Sequence, residues 1–210
     1  MRIARTLAAL VVLATPMVAT QTLFPSNAAA LPPLIDPGTI VLPPILPTLY
    51  FCNGELATIV GTSGFDTLEG TDGHDVIVGL GGSDWIYDRA GNDTVCAGSG
   101  NDVIYGAEDD DWIDGGGGVD TIDFRLAPVP VTLDLRLGRA DATGSHDTLI
   151  RFESAQGSNH DDVILGTNGD NLLRGGGGRD HIYGRPGYDS CRGEVVRGCE
   201  AVASPAPAIL

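Results

Sequence analysis

An aspartate recurs every nine residues, seven times in succession, at Asp66, Asp75, Asp84, Asp93, Asp102, Asp111 and Asp120. The residue two places on is aliphatic each time: Leu68, Ile77, Ile86, Val95, Ile104, Ile113 and Ile122. A second run with the same frame carries Asp162, Asn171, Asp180 and Asp189, followed by Ile164, Leu173, Ile182 and Cys191. A unit this short cannot bury an apolar face alone. A strict short period therefore specifies a solenoid, with one structural unit per repeat and a core shared between neighbours.

Read nine at a time, residues 61–123 are GTSGFDTLE, GTDGHDVIV, GLGGSDWIY, DRAGNDTVC, AGSGNDVIY, GAEDDDWID and GGGGVDTID. Residues 157–192 are GSNHDDVIL, GTNGDNLLR, GGGGRDHIY and GRPGYDSCR. Each nonapeptide splits into a six-residue turn and a three-residue strand. Glycines permit turn angles closed to other residues and let carbonyls face a cation. The central strand residue points into the core and its neighbours point out. Two nonapeptides complete one coil, so each repeat stacks on the next but one, at the strand spacing of about 4.8 Å. That rule places Asp66, Asp84, Asp102 and Asp120 on one edge, with room for three inter-turn sites. Asp75, Asp93 and Asp111 lie on the other, with room for two. The second array pairs Asp162 with Asp180 and, less well, Asn171 with Asp189. Carboxylates and carbonyls converging in this way are hard oxygen donors. They suit Ca2+, which takes six to eight oxygens at about 2.3–2.6 Å, better than zinc or the tight octahedron of magnesium.

Charge agrees with that chemistry. Residues 31–123 hold seventeen Asp and Glu against one Arg (Arg89), while residues 124–210 hold eleven acids and nine Arg. A surface of that kind repels nucleic acid and needs counter-ions to become compact. Residues 1–30 read as a cleaved signal peptide: Arg2 and Arg5, the apolar run Leu7–Ala14, then Ala28-Ala29-Ala30 before Leu31. No other segment is long and apolar enough to span a membrane as a helix, so none is expected after signal cleavage. Four cysteines suit disulfides outside the cytosol and allow three pairings. Cys52–Cys96 with Cys191–Cys199 is favoured, because each pair brackets one end of the repeats. Cys191 also occupies an inward position, where a core residue is the simpler expectation.

The remaining segments are a Pro-rich linker (31–51), a first repeat array (52–123), an insertion (124–156), a second array (157–192) and a C-terminal cap and tail (193–210). Within the insertion Val131, Leu133 and Leu135 alternate like a half-buried strand, and Thr148–Phe152 resembles another. The insertion is expected to continue or cover the solenoid. No G-x-S-x-G, H-E-x-x-H or P-loop occurs, the chain has no Lys, and His74, His146, His160 and His181 read as surface residues. Catalysis is not expected. Trp85, Tyr87 and Tyr105 form an outward aromatic strip that either contacts a partner or stiffens the sheet, and the second reading is preferred.

These repeats resemble the secreted hemolysin-type calcium-binding proteins, the RTX family, over residues 61–123 and 157–192. The resemblance implies an all-β fold, a parallel β-roll (right-handed β-helix solenoid) of nonapeptide repeats in two arrays. It also implies calcium held by glycine-turn carbonyls and the repeat aspartates. Four places depart from the pattern: Asp88-Arg89 replaces Gly-Gly, with Arg89 expected near the metal edge, Asp109 and His160 replace fourth-position glycines, and Asn171 replaces an Asp. The function expected is that of a secreted, extracellular calcium-binding protein whose folding is coupled to calcium, serving as a structural or adhesive module with a surface glycan or protein as partner. The alternative is a small secreted effector or carbohydrate-active hydrolase working through the aromatic strip.

Overall fold

The computed structural model describes residues 48–106, 109–199 and 201–202. The expected signal peptide, the Pro-rich segment up to residue 47 and the last residues of the tail lie outside the described residues. In every repeat a three-residue strand begins directly after the repeat Asp or Asn, as in Thr67–Glu69, Val76–Val78 and Trp85–Tyr87. Successive strands go alternately to two sheets, so Thr67 lies opposite Trp85 and Val76 opposite Thr94, all in parallel. The sheets contain eight and ten strands, and no helix occurs among the described residues. The result is an all-β solenoid of the β-roll type, with repeat n stacked on repeat n+2.

The inward column is what makes the stack cohere. Ile77, Ile86, Val95, Ile104, Ile113 and Ile122 are completely buried, and with Ile164, Leu173 and Ile182 they belong to one cluster. A β-branched side chain is stiff and fills a pleated surface well, which is why Ile recurs here. Each full burial contributes about 1.5–3 kcal/mol relative to exposure. The strand Val76–Val78 departs from the in–out alternation, because all three residues are buried. Its outer face is covered by a hairpin, Phe51–Cys52 against Glu55–Leu56, turned at Asn53-Gly54 with both φ positive. Tyr50 and Cys52 pack there with Val76 and Val78. The end of the expected linker is therefore part of the packed structure.

Residues 124–156 break the period without breaking the stack. Ser154–Gln156 pairs in parallel with Thr121–Asp123 on one side and Leu172–Arg174 on the other. In the second sheet Ser145–Ile150 follows Trp112–Asp114, and two antiparallel pairings lead through Arg139–Ala142 and Thr132–Asp134 to Val163–Leu165. The insertion continues the solenoid, and the two arrays are one stack. Val131, Leu133 and Leu135 are buried as their alternation predicts. The strand expected at Thr148–Phe152 instead spans Ser145–Ile150. It ends where Arg151 turns to φ +57° and its guanidinium meets Asp114. Arg185 grips Asp134 with two bonds of 2.8 Å, tying the insertion to the last turn of the second array. Disulfides Cys52–Cys96 and Cys191–Cys199 close the two ends, with Cα separations of 5.7 and 6.0 Å. Cys191 is both a disulfide partner and a core residue.

Candidate metal sites

The repeat aspartates form two ladders. On the first edge the main-chain N–H of Asp66 donates to Asp84 Oδ1 at 2.8 Å, that of Asp84 to Asp102 at 2.7 Å, and that of Asp102 to Asp120 at 2.9 Å. On the second, Asp75 donates to Asp93 and Asp93 to Asp111, each at 2.8 Å. In the second array Asp162 donates to Asp180 Oδ1 at 3.1 Å, and Asn171 to Asp189 Oδ1 at 3.0 Å. The edges assigned from the period are those observed, and every expected pair is brought together. Oδ1 of Asp84, Asp93, Asp102, Asp111, Asp120, Asp180 and Asp189 is thus committed to joining one turn to the next in the stack.

The other oxygen divides the turns into two classes. In the leading turns of each array the second residue is Thr or Ser, and it satisfies its own repeat side chain. Thr62 donates to Asp66 Oδ2 from N–H and hydroxyl at 2.6 and 2.9 Å, and Thr71 does the same for Asp75. Ser158 serves Asp162, and Thr167 serves Asn171. In the later turns whose second residue is described, a left-handed residue takes that place, including Leu80 (φ +74°), Arg89 (φ +75°) and Arg185 (φ +72°). In the turns of Asp84, Asp93, Asp102, Asp120 and Asp180 no side chain then hydrogen-bonds the second carboxylate oxygen. Oδ2 of Asp84, Asp93, Asp102, Asp111, Asp120 and Asp180 is buried without a hydrogen-bond partner. An unsatisfied charged oxygen at such a depth is costly unless something occupies the space beside it.

The structure also has a place for that occupant. A Cβ built on Gly61 would stand 2.6 Å from Gly79 O and 3.0 Å from Asp66 Oδ2. On Gly115 it would stand 2.6 Å from Arg151 O and 3.0 Å from Asp120 Oδ2. At Gly61, Gly70, Gly79, Gly115 and Gly157 the first position of the turn is therefore a cradle where a carboxylate oxygen and a main-chain carbonyl from the stacked turn converge in the place a side chain would take. Among the described residues no three His, Cys, Asp or Glu side chains meet at one point. The donor set is one or two carboxylates with main-chain carbonyls, which suits a hard cation such as calcium and not zinc.

Electrostatics point the same way. Burial first, and then neighbouring carboxylates, raise Asp93 and Asp180 to about 6, Asp120 to about 7 and Asp111 to about 8. Asp84, Asp102 and Asp162 are raised as well, chiefly by burial. Asp75 shows the contrast between turn classes. Burial would raise it, but the bonds from Thr71 and Thr58 outweigh that and hold it below the ordinary value. A cation beside the raised carboxylates would reverse their shift.

Period counting missed several residues of the ladders. Asp147 takes the N–H of Asp111 at 3.2 Å, and Glu153 and Glu194 take those of Asp120 and Asp180, each at 2.9 Å. Asp147 was legible, since it stands twenty-seven residues after Asp120 with Leu149 two places on. Two departures from the pattern prove harmless. Asp109 adopts the left-handed conformation that the fourth position requires, at φ +77°. His160 has no such demand to meet, because its turn is of the Ser class and its N–H donates to Ser158 Oγ at 3.0 Å. Arg89, expected near the metal edge, instead faces out to Glu69 at 3.2 Å. All four His are exposed.

The outward aromatics separate into two pairs. Tyr87 and Tyr105 stack with ring centroids 4.2 Å apart, and Arg125 lies 5.5 Å over Tyr105, which braces the sheet. Trp85 meets Phe65 edge-on at 5.7 Å, and both remain well exposed. Compared with known protein families, residues 58–86, 69–104, 87–122 and 156–191 match the RTX calcium-binding nonapeptide repeat, in four copies. No curated protein matches the chain.

Proposed function

We propose, from the premise that the coils are RTX calcium-binding nonapeptide repeats, that the chain is a secreted protein whose folding is coupled to calcium and whose folded form is a structural or adhesive module. The observation that carries this reading is the row of buried, unpartnered Oδ2 atoms on Asp84, Asp93, Asp102, Asp111, Asp120 and Asp180. These residues would hold the ions, with the glycine-turn carbonyls completing each shell. Asp66, Asp75 and Asp162 stand in turns already closed by Thr or Ser, and they contribute chiefly through the ladder. Asp189 extends the first edge.

Calcium would supply positive charge between stacked turns, converting repulsion along the acidic array into attraction. Extracellular modules of this kind bind calcium at about 10⁻⁴–10⁻³ M, so folding would follow export into a calcium-rich medium. The disulfides belong in the same compartment. Adhesive contact falls to the exposed Phe65–Trp85 pair, whose faces suit a sugar ring or an apolar side chain. Equilibrium dialysis against calcium tests the central point. Uptake of several ions per chain, not matched by magnesium at the same concentration, supports the reading, and failure to bind calcium refutes it. A glycan array comparing the wild type with Trp85→Ala separates adhesion from a purely structural role.

A further inference from the structure

The outer face of the ten-stranded sheet holds a cleft that the nonapeptides alone do not build. Thr94, Trp112 and Thr148 stand in register on three adjacent strands, so two strand spacings, about 9.6 Å, separate the two threonines. The N-terminal hairpin lines the cleft with Asn53 and Glu55, and the insertion lines it with His146 and Thr148. Asp93 and Asp111 also border it, as members of the aspartate ladder. The cleft holds about 480 Å³, which lies within the range of small-ligand sites.

Trp112 supplies the apolar surface of the cleft. Its indole packs against the cluster of Cys52, Val76 and Val78 and stays partly exposed. Its neighbours across the sheet are threonines, so it lacks the stacked ring that Tyr87 and Tyr105 give each other. The polar groups around it are already oriented. Both ring nitrogens of His74 meet acceptors, Asn92 O and, at 2.9 Å, Glu55 Oε2. His146 donates its main-chain N–H to Asp110 Oδ1 at 2.7 Å, and its imidazole stands 3.8 Å from the same oxygen. Each exposed carboxylate of the rim thus has an imidazole beside it, which leaves little unmatched charge for an organic cation. An indole face flanked by fixed amide, carboxylate, imidazole and hydroxyl groups matches a neutral sugar. The ring C–H groups lie on the indole, and the hydroxyls both donate to and accept from the polar rim.

We propose that this cleft binds a neutral hexose glycan, with Trp112 as the stacking platform and Asn53, Asp110 and His146 as the residues that hydrogen-bond its hydroxyls. The inference rests on the adhesive reading above and gives it a ligand class and a second place on the roll, since Trp85 belongs to the other sheet. The hairpin and the insertion supply the groups around Trp112, so a roll of nonapeptides alone would lack the site.

Calorimetric titration of the full chain in saturating calcium tests it, with hexasaccharides of glucose, mannose and galactose as probes and hexalysine as the probe for a basic partner. The wild type is compared with Trp112→Ala, His146→Ala and Trp85→Ala, and each variant's β spectrum serves as the control for folding. The expected result is that the wild type binds at least one hexasaccharide. Trp112→Ala should weaken that binding about tenfold or more, and His146→Ala about threefold or more. His146 is exposed, so its variant remains decisive should Trp112→Ala fail to fold. Sugar binding at full strength in folded His146→Ala, or lost only in Trp85→Ala, would overturn the cleft site and leave the adhesive reading standing. Binding of hexalysine in place of the sugars would overturn the glycan in favour of a basic partner. A wild-type chain that binds none of the probes would overturn the cleft site and the sugar-binding part of the adhesive reading together, while calcium uptake would still decide the metal sites.

Discussion

Asp102 accepts the Asp84 N–H through Oδ1 and leaves Oδ2 buried and unpartnered, so one side chain holds a structural bond and an unbalanced charge. Asp102→Asn keeps an acceptor for the ladder and removes the charge. Without calcium this substitution is expected to stabilise the folded chain by about 1–3 kcal/mol, by relieving a buried unpaired charge. With calcium it should weaken binding. Thermal melts of both forms, with and without the ion, check for that reversal of sign, and loss of stability in both conditions would contradict it. The same charges predict a pH dependence in the calcium-stripped chain. Folded-state values of about 6 for Asp93, 7 for Asp120 and 8 for Asp111 lie above the unfolded value near 3.9. Raised values favour the folded form in acid. Their contribution is therefore complete below about pH 4 and is lost as pH rises through about 6 to 8. Stripped protein should hold more β structure by circular dichroism at pH 5 than at pH 8. The nine-residue comb identified these aspartates, but it could not show which oxygen the stacked turn uses, since that depends on contacts eighteen residues away.

At the scale of elements, the strands were legible because a frame of Asp, any residue and an aliphatic sets both the start and the inward position of each one. The two turn classes were not read from the pattern, although the Thr and Ser at Thr62, Thr71, Ser158 and Thr167 stand in plain view. Their meaning lies in a bond from residue two of the turn to residue six. The insertion was harder still. Its strands pair antiparallel with each other and parallel with the arrays, and that register depends on partners the local sequence does not name. The N-terminal hairpin shares this character, because Asn53-Gly54 marks a turn but not the face of Val76 and Val78 that it covers. The Cys52–Cys96 bond closes forty-four residues and anchors that hairpin. Replacing both cysteines with serine should cost about 2–4 kcal/mol. Amide exchange should quicken first around residues 50–60 and 76–78, while exchange that stays uniform along the chain would show that the hairpin docks without the link.

The described residues from the first repeat on form one stack, and the charge is uneven: residues 31–123 hold seventeen acids against a single Arg, and residues 124–210 hold nine Arg among eleven acids. In a solenoid each coil touches only its neighbours, so stability is close to a sum over coils and their interfaces. The acidic coils carry the unpartnered oxygens Asp84 Oδ2 to Asp120 Oδ2, and the later coils are braced by ion pairs such as Asp134–Arg185. Dependence on calcium should accordingly concentrate in the first array. The most direct measurement is far-UV circular dichroism of the calcium-stripped chain at neutral pH, titrated with calcium and, separately, with magnesium. A transition to β structure driven by calcium and not by magnesium is the expected result. A β spectrum already complete in excess chelator, and unmoved by calcium, would mean that disulfides and the isoleucine column suffice, and would contradict the account.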